Sequence, residues 1–321
     1  MRQKGKLENM SKKFVNNVNV AGYVFSHTLQ ERVSRKGVPF ISGEIRIATD
    51  EDAMNVVPVN FRYVAEFWDA AGTKPNQNYG LLQNLIANVK TFEEVGSAAT
   101  KIRIGGSAGV NDFVTRDGEM ASPKRVEGSF VHVNDVREFG ATFNIDTLIT
   151  KCVEQEYEDQ DSVVRLSGYM WDFRKSIMPI DFTVRVPGGK DYFLGYDIST
   201  KNPLLTNVQG DIVSTVIENV TYTEGAFGDP VAHTTTRTIR GWDVNFASKE
   251  PMEFDDESTL TKKELKQMLD EREEHLAEVK KNHDEYQAQR NGNGFATTTK
   301  AASKPAAKAV VDDDDDDSFE F

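Results

Sequence analysis

The sequence predicts a mainly-β protein made of small closed barrels, followed by one long helix and a polar tail. Three observations predict it. Residues 18–50 alternate with period two: Val18, Val20, Gly22 and Val24 share one parity and Ile41, Gly43, Ile45 and Ile47 another, the mark of half-buried strands. Short alternating runs broken by turn residues continue to about residue 250, with little helical periodicity among them. Beyond 250 the chain becomes rich in Glu, Lys, Leu and Gln, then in Ala and Thr, and closes on a run of aspartates.

The first two strands are joined by a charged turn holding Arg32, Arg35, Lys36 and Gly37. On the second of them Ser42, Glu44 and Arg46 face away from the apolar parity. Such a curved hairpin opens a small barrel, with an inner face for the core and an outer face for a ligand. From Asn55 to Ala65 the pattern continues, Val57, Val59, Phe61 and Tyr63 alternating with Pro58, Asn60, Arg62 and Val64. A turn-rich piece at 71–76 precedes Leu81, Leu82, Leu85, Ile86 and Val89, whose spacing predicts an amphipathic helix over 79–89. Lys101–Ile104 reads as a strand with Lys101 and Arg103 on one face and Ile102 and Ile104 on the other. Gly105–Gly109 reads as a loop, because no Lys-Ser/Thr helix start follows to make it a phosphate cradle. Asp117–Gly118 signals a turn. Val126–Val133 closes the barrel, with Val131 and Val133 inward.

Several of these stretches carry a resemblance. Gly37–Asp50 (GVPFISGEIRIATD) resembles strands two and three of bacterial-type single-stranded DNA-binding proteins, where a glycine turn precedes an alternating strand ending in Ala-Thr and a polar residue. Val20–Tyr23 is similar to their first strand. Residues 111–118 look like their long excursion between strands four and five, and the last ten residues (DDDDDDSFEF) resemble their acidic, phenylalanine-ended tail. The resemblance implies an OB-fold, a five-stranded Greek-key barrel with a helix between its third and fourth strands. It also implies a protein that is not an enzyme, binds single-stranded DNA without strong sequence preference during replication, recombination and repair, and recruits partner proteins through the tail. The family's tail also competes with DNA for the basic groove. One departure stands out: the family places Pro before the terminal Phe, whereas this chain ends Ser318–Phe319–Glu320–Phe321, which makes a dedicated partner possible. The whole looks most like a phage-encoded relative.

Val20–Phe25 is echoed by Leu166–Trp171, 146 residues on. Strand-like runs follow at 180–186, 192–198, 212–223 and 234–246, with turns at Pro187–Gly189 and Gly225–Pro230. The reading is two barrels in tandem, the second degenerate, with the alternative that these strands extend the first sheet. The expected organisation is a disordered arm at 1–13, an OB-fold domain at 14–150, a second OB-like domain at 151–250, a linker and helix at 251–290, and a disordered acidic tail at 291–321. Ser258 or Thr259 is placed to cap the helix. Its stripe, Leu265, Leu269, Leu276, Val279 and Tyr286, is interrupted by Arg272 and His283 and reads as a solvated face rather than a coiled-coil seam.

The chain has 321 residues and a net charge of −13. Residues 251–321 hold 10 Lys/Arg against 19 Asp/Glu and so supply −9 of it, leaving −4 on residues 1–250. A nucleic-acid surface must therefore be a local groove and not a global field. There is no apolar run of about 18 residues, so no membrane-spanning helix, and the basic N-terminus lacks the apolar stretch of a secretory signal. One cysteine, Cys152, excludes an intramolecular disulfide and fits a reducing cytoplasm. No catalytic, cofactor or metal motif is present; His27, His132, His233, His275 and His283 show no ligand spacing.

Single strands are held by aromatic faces and by cations that track phosphates. In the first barrel the expected contacts are Arg35, Lys36, Phe40, Arg46, Arg62, Tyr63, Lys101, Arg103, Phe113, Arg116, Lys124 and Arg125, with Phe25 interleaved. Phe61 shares the parity of Val57 and Val59 and reads as core; Phe113, in a polar loop with Arg116, reads as surface; Phe40, out of phase with Ile41 and Ile45, fits either role. In the second half Trp171, Phe173, Arg174 and Lys175 form a compact aromatic–basic cluster. In the tail, Asp312, Asp313, Asp314, Asp315, Asp316 and Asp317 repel one another and leave Phe319 and Phe321 exposed for docking into a basic-rimmed apolar pocket. The alternative to DNA binding is a structural or scaffolding protein whose barrels bind protein. The sequence allows a monomer or a dimer.

Overall fold

The computed structural model describes residues 13–69, 71–157, 161–223 and 231–292. In chain order the elements are β1 (Asn16–His27), β2 (Gln30–Val33), β3 (Pro39–Ala48), β4 (Val56–Ala65), α1 (Gln77–Asn88), α2 (Phe92–Val95), β5 (Lys101–Val110), β6 (Phe113–Val114), β7 (Met120–Ala121), β8 (Lys124–Val133), β9 (Gly140–Gln155), β10 (Val163–Trp171), β11 (Ile177–Val184), α3 (Pro187–Leu194), β12 (Leu204–Thr223), β13 (Val231–Ala247) and α4 (Lys262–Gly292).

The strand pairings close two rings. In the first, β1 pairs with β3, β3 with β4, β4 with β8, β8 with β5, and β5 returns to β1. Only β4–β8 is parallel, and α1 lies between the third and fourth ring strands. This is the OB-fold order. The second ring repeats it: β9–β10–β11–β13–β12 and back to β9, with β11–β13 the parallel pair and α3 between β11 and β12. Antiparallel pairing of β1 with β9, from Asn16↔Ile145 to Ala21↔Gly140, joins the rings into one eleven-stranded sheet. The inward residues are the β-branched and large apolar ones that suit a pleated, buried surface: Val20, Ile45, Val59, Ile102 and Ile104 in barrel one, and Ile145, Val164, Leu166, Phe182 and Val184 in barrel two.

The internal repeat is real but differently phased from the echo at 146 residues. An offset of 125 carries Val18, Val20, Tyr23 and Val24 of β1 onto Phe143, Ile145, Leu148 and Ile149 of β9, and Ser42–Gly43 of β3 onto Ser167–Gly168 of β10. The echo matched a first strand to a second strand because both need glycine at the same crossing. A Cβ on Gly22 would lie 1.8 Å from the Ala48 carbonyl oxygen, and one on Gly168 2.0 Å from that of Leu148. The strand that opens the second ring begins at residue 140, within the 14–150 span expected for the first domain; β9 belongs to the second ring and meets the first only by pairing with β1.

Three local expectations change. Gly105–Gly109 is strand, not loop: β5 runs unbroken to Val110, and Gly106 lets β8 approach, since a Cβ there would meet the Glu127 carbonyl oxygen at 1.9 Å. Pro187–Gly189 begins α3, proline occupying the first turn, where no N–H is needed. The long C-terminal helix is capped by Thr261, whose hydroxyl accepts from the Glu264 N–H while the Glu264 carboxylate accepts from the Thr261 N–H. That helix is docked rather than solvated. Leu260 and Met268 are buried among Leu148, Trp171, Ile177 and Leu205 on the outside of barrel two. Arg272, which seemed to break the apolar stripe, is the anchor: Nη1 and Nη2 donate to Asp112 at 2.6 and 2.5 Å. Asp112 also accepts from Ser122 at 2.6 Å and lies 3.4 Å from His275 Nε2. Burial opposes its charge, but the bonds from His275, Arg272 and Ser122 outweigh burial and hold the carboxyl well below the usual range.

Candidate nucleic-acid interface

The alternation that sends Val18, Val20 and Val24 inward sends Tyr23 and Phe25 to the outside of barrel one. Two further rings meet them there. α2, closed by a capping box between Thr91 and Glu94, presents Phe92, and the segment entering β9 presents Phe139. Tyr23 meets Phe139 edge to face at 4.8 Å and Phe92 at 5.6 Å, and Phe25 stacks on Phe92 at 6.2 Å. Two cations lie over these rings. β5 pairs Lys101 opposite Tyr23, which brings its Nζ to 5.4 Å from both the Tyr23 and Phe139 centroids. Arg46 on β3 lies 5.4 Å over Phe25. The result is an aromatic cluster on the outer face of strands one and two, Tyr23 buried at its centre at 7% exposed, Phe25, Phe92 and Phe139 half-buried around it, and two cations beside the rings.

The other expected cations fall into two groups. Four are matched to carboxylates. Arg62 and Arg125 both face Glu127, at 3.6 and 2.8 Å, and Arg125 also donates to the Asn111 side chain. Burial pushes the Glu127 carboxyl up, opposed by Arg62. Arg103 pairs with Asp135 at 2.8 Å. Lys124 is a strut between the barrels, donating to Asp181 of β11 at 2.8 Å and lying 6.0 Å over the Trp242 ring; burial lowers its ammonium and Asp181 opposes that. The second group is exposed: Arg35 and Lys36 at the turn between β2 and β3, and Arg116 on the β6–β7 hairpin, where Phe113 is 41% exposed.

Two expected contacts are buried in this structure. Phe40 is 4% exposed and packs its ring on the half-exposed Tyr63 at 4.5 Å, so no face of it is open to a base. Trp171 is 1% exposed: Phe14 stacks on it at 3.9 Å and its Nε1–H points at Met268 Sδ, 3.4 Å away. Its neighbours fare differently. Phe173 is 81% exposed at the tip of the β10–β11 turn, with Arg174 5.2 Å over its ring. Asp172 braces that turn by accepting from the Arg174 and Ser176 N–H groups. The tail residues, Asp312–Asp317, Phe319 and Phe321, lie outside the described residues.

Sequence reasoning missed Phe92 and Phe139. The Thr91–Glu94 capping box is a legible signal for the first. The second has only the repeat: Phe139 stands before β9 as Phe14, 125 residues earlier, stands before β1, and each packs its ring on the other barrel.

Two OB-type barrels joined strand to strand, with an aromatic and cationic patch outside the first, define the class: a tandem OB-fold protein followed by a docked helix. Residues 15–282 match the YorF family, and the chain belongs to it. Two crystal structures of the single-stranded DNA binding protein from Thermus aquaticus, the wild type and a deletion mutant, align with 75% of this chain and with 96% and 97% of their own. Their identities are 13% and 12%, and the TM-score is 0.47 for each. No curated protein matches.

Proposed function

We propose that this protein binds single-stranded DNA on the outside of barrel one, without strong sequence preference, and coats exposed strands during replication, recombination and repair. In the same reading the Asp312–Phe321 tail recruits partner proteins, and the chain works in a cytoplasm, that of a host cell if a phage encodes it. The observation that carries the DNA-binding part is the patch of half-buried Phe25, Phe92 and Phe139, seated on the buried Tyr23, with Lys101 and Arg46 beside the rings. Every base has a π-face, so ring stacking worth about 1–3 kcal/mol per base tolerates any sequence. Cations beside the rings serve the phosphates.

A titration of tryptophan fluorescence with long oligo-dT and with duplex of equal length, at low and high salt, tests it. Tight single-strand binding that weakens steeply with salt, and little duplex affinity, is expected. Absence of binding at low salt overturns it. A scaffolding role for the barrels is the second reading, favoured by the pairing of Arg62, Arg103, Lys124 and Arg125 with carboxylates; it predicts no oligo-dT binding in the same titration.

A further inference from the structure

The outer patch at strands one and two occurs twice, half-buried in barrel one and sealed in barrel two. The 125-residue offset carries Tyr23 onto Leu148 and Arg46 onto Trp171, so the second copy is centred on those two residues. They are covered by Phe14 on one side and by Leu260 and Met268 on the other. The rim of this copy is open, for Phe173 and Arg174 stand just beyond Trp171 with the ring exposed and the guanidinium stacked on it.

We propose that barrel two carries a second single-strand site beneath α4, with Trp171 as its hidden stacking platform and Phe173–Arg174 as its visible edge, and that α4 leaves this face when a strand spans both barrels. The proposal rests on the reading of barrel one as a single-strand binder. Three features support it. The covered patch is rich in large apolar and aromatic groups on the outside of a closed ring, where the ring's own interior does not need them. The cover belongs to neither ring: it is Phe14 ahead of β1, Leu260, and α4, the helix held by this cluster and by the Arg272–Asp112 pair. Asp112 adjoins Phe113 and Trp171 adjoins Phe173, so α4 lies between the exposed Phe113–Arg116 hairpin and the Phe173 turn. There it shows exposed Glu271, Glu273 and Glu274, and phosphates crossing that gap meet like charge, which opposes the docked position. Binding then draws on a minor state in which both α4 and the stacked Phe14 ring have left Trp171.

Hydrogen exchange on the full chain tests this, with and without saturating oligo-dT long enough to reach both barrels. Faster exchange of the 262–272 amides in the complex is expected; unchanged or slower exchange overturns the proposal while leaving barrel one's role intact. A second measurement uses Met268→Ala, which loosens the helix without touching Asp112. It is expected to bind long oligo-dT about threefold more tightly than the parent, because the competent state is more populated. Equal or weaker binding of the long strand overturns it. If the parent binds no oligo-dT at all, it is the barrel-one reading that has failed, and this one falls with it.

Discussion

Barrel one and barrel two share a ring order, a parallel closing pair and a 125-residue sequence offset, yet they finish the same outer patch in opposite ways. In barrel one the patch is dressed with Arg46 and Lys101 and left partly open. In barrel two the equivalent of Arg46 is Trp171, and an apolar cluster with α4 seals it. The loops between ring strands four and five differ as well. Barrel one has the short β6–β7 hairpin, pinned at its root by Asp112. In barrel two the β12–β13 ladder runs on to Thr223↔Val231, well beyond its last partners in the ring, and Asn55 of barrel one braces its base through the Ile212 carbonyl and Ser214 N–H. Duplicated rings are thus free to diverge wherever the barrel interior does not depend on the residue. An outer patch has to satisfy only what lies against it.

Substitutions that break this contrast should rank as follows. Trp171→Ala removes a fully buried ring and is expected to cost about 4 kcal/mol in denaturant unfolding. Arg272→Ala removes the two guanidinium bonds and leaves the Asp112 carboxylate to Ser122 and His275 alone, at about 3 kcal/mol. The pH dependence of that pair has a definite sign. Asp112 is depressed below its ordinary value of 3.8 in the folded state, so its contribution is fully present above about pH 4 and fades as pH falls below that. The stability gap between the parent and Asp112→Asn should therefore narrow in acid, and a gap that stays constant from pH 7 to pH 2.5 excludes this account of the anchor. Gly22→Ala and Gly168→Ala each force a Cβ into a carbonyl oxygen where the first and second strands of a ring cross, Gly22 from the first strand and Gly168 from the second; each is expected to cost about 2 kcal/mol, and a negligible loss at either would show that the backbone there gives way to a Cβ.

The outer residues of barrel one should move affinity and spare stability. Phe25→Ala is expected to weaken oligo-dT binding about tenfold, one stacked base's worth, with little change in unfolding midpoint. The smallest effect is at Glu127. Glu127→Gln releases Arg62 and Arg125 from their shared carboxylate, and should raise affinity about twofold while steepening the salt dependence by about 0.7, the slope for one single-strand phosphate. An unchanged slope would mean that the β4–β8 face makes no phosphate contact.

Much of this architecture was legible in the chain. Alternation at 18–24 and 41–47 placed β1 and β3 and their inward faces, the leucine spacing at 81–89 placed α1, and the valines at 126–133 placed the strand that closes the ring. Phe113 and Phe173 read as surface groups because polar turn residues surround them. What misled was what pairing alone decides. Phe40 lies next to a turn, out of phase with its neighbours, and it is buried through packing on Tyr63 of the neighbouring strand β4. Arg272 looked like a flaw in an apolar stripe until Asp112, 160 positions away, stood opposite it.

By itself, then, the sequence determined which residues form strands, which face of each is apolar and where turns break them, because period-two patterning and glycine act within a few residues. Tertiary structure decided which strand closes each ring, that β1 and β9 pair to join them, which of two equivalent patches is sealed by a helix, and that the C-terminal helix is held rather than free. Those outcomes depend on contacts between residues more than a hundred positions apart, and no local pattern encodes its distant partner.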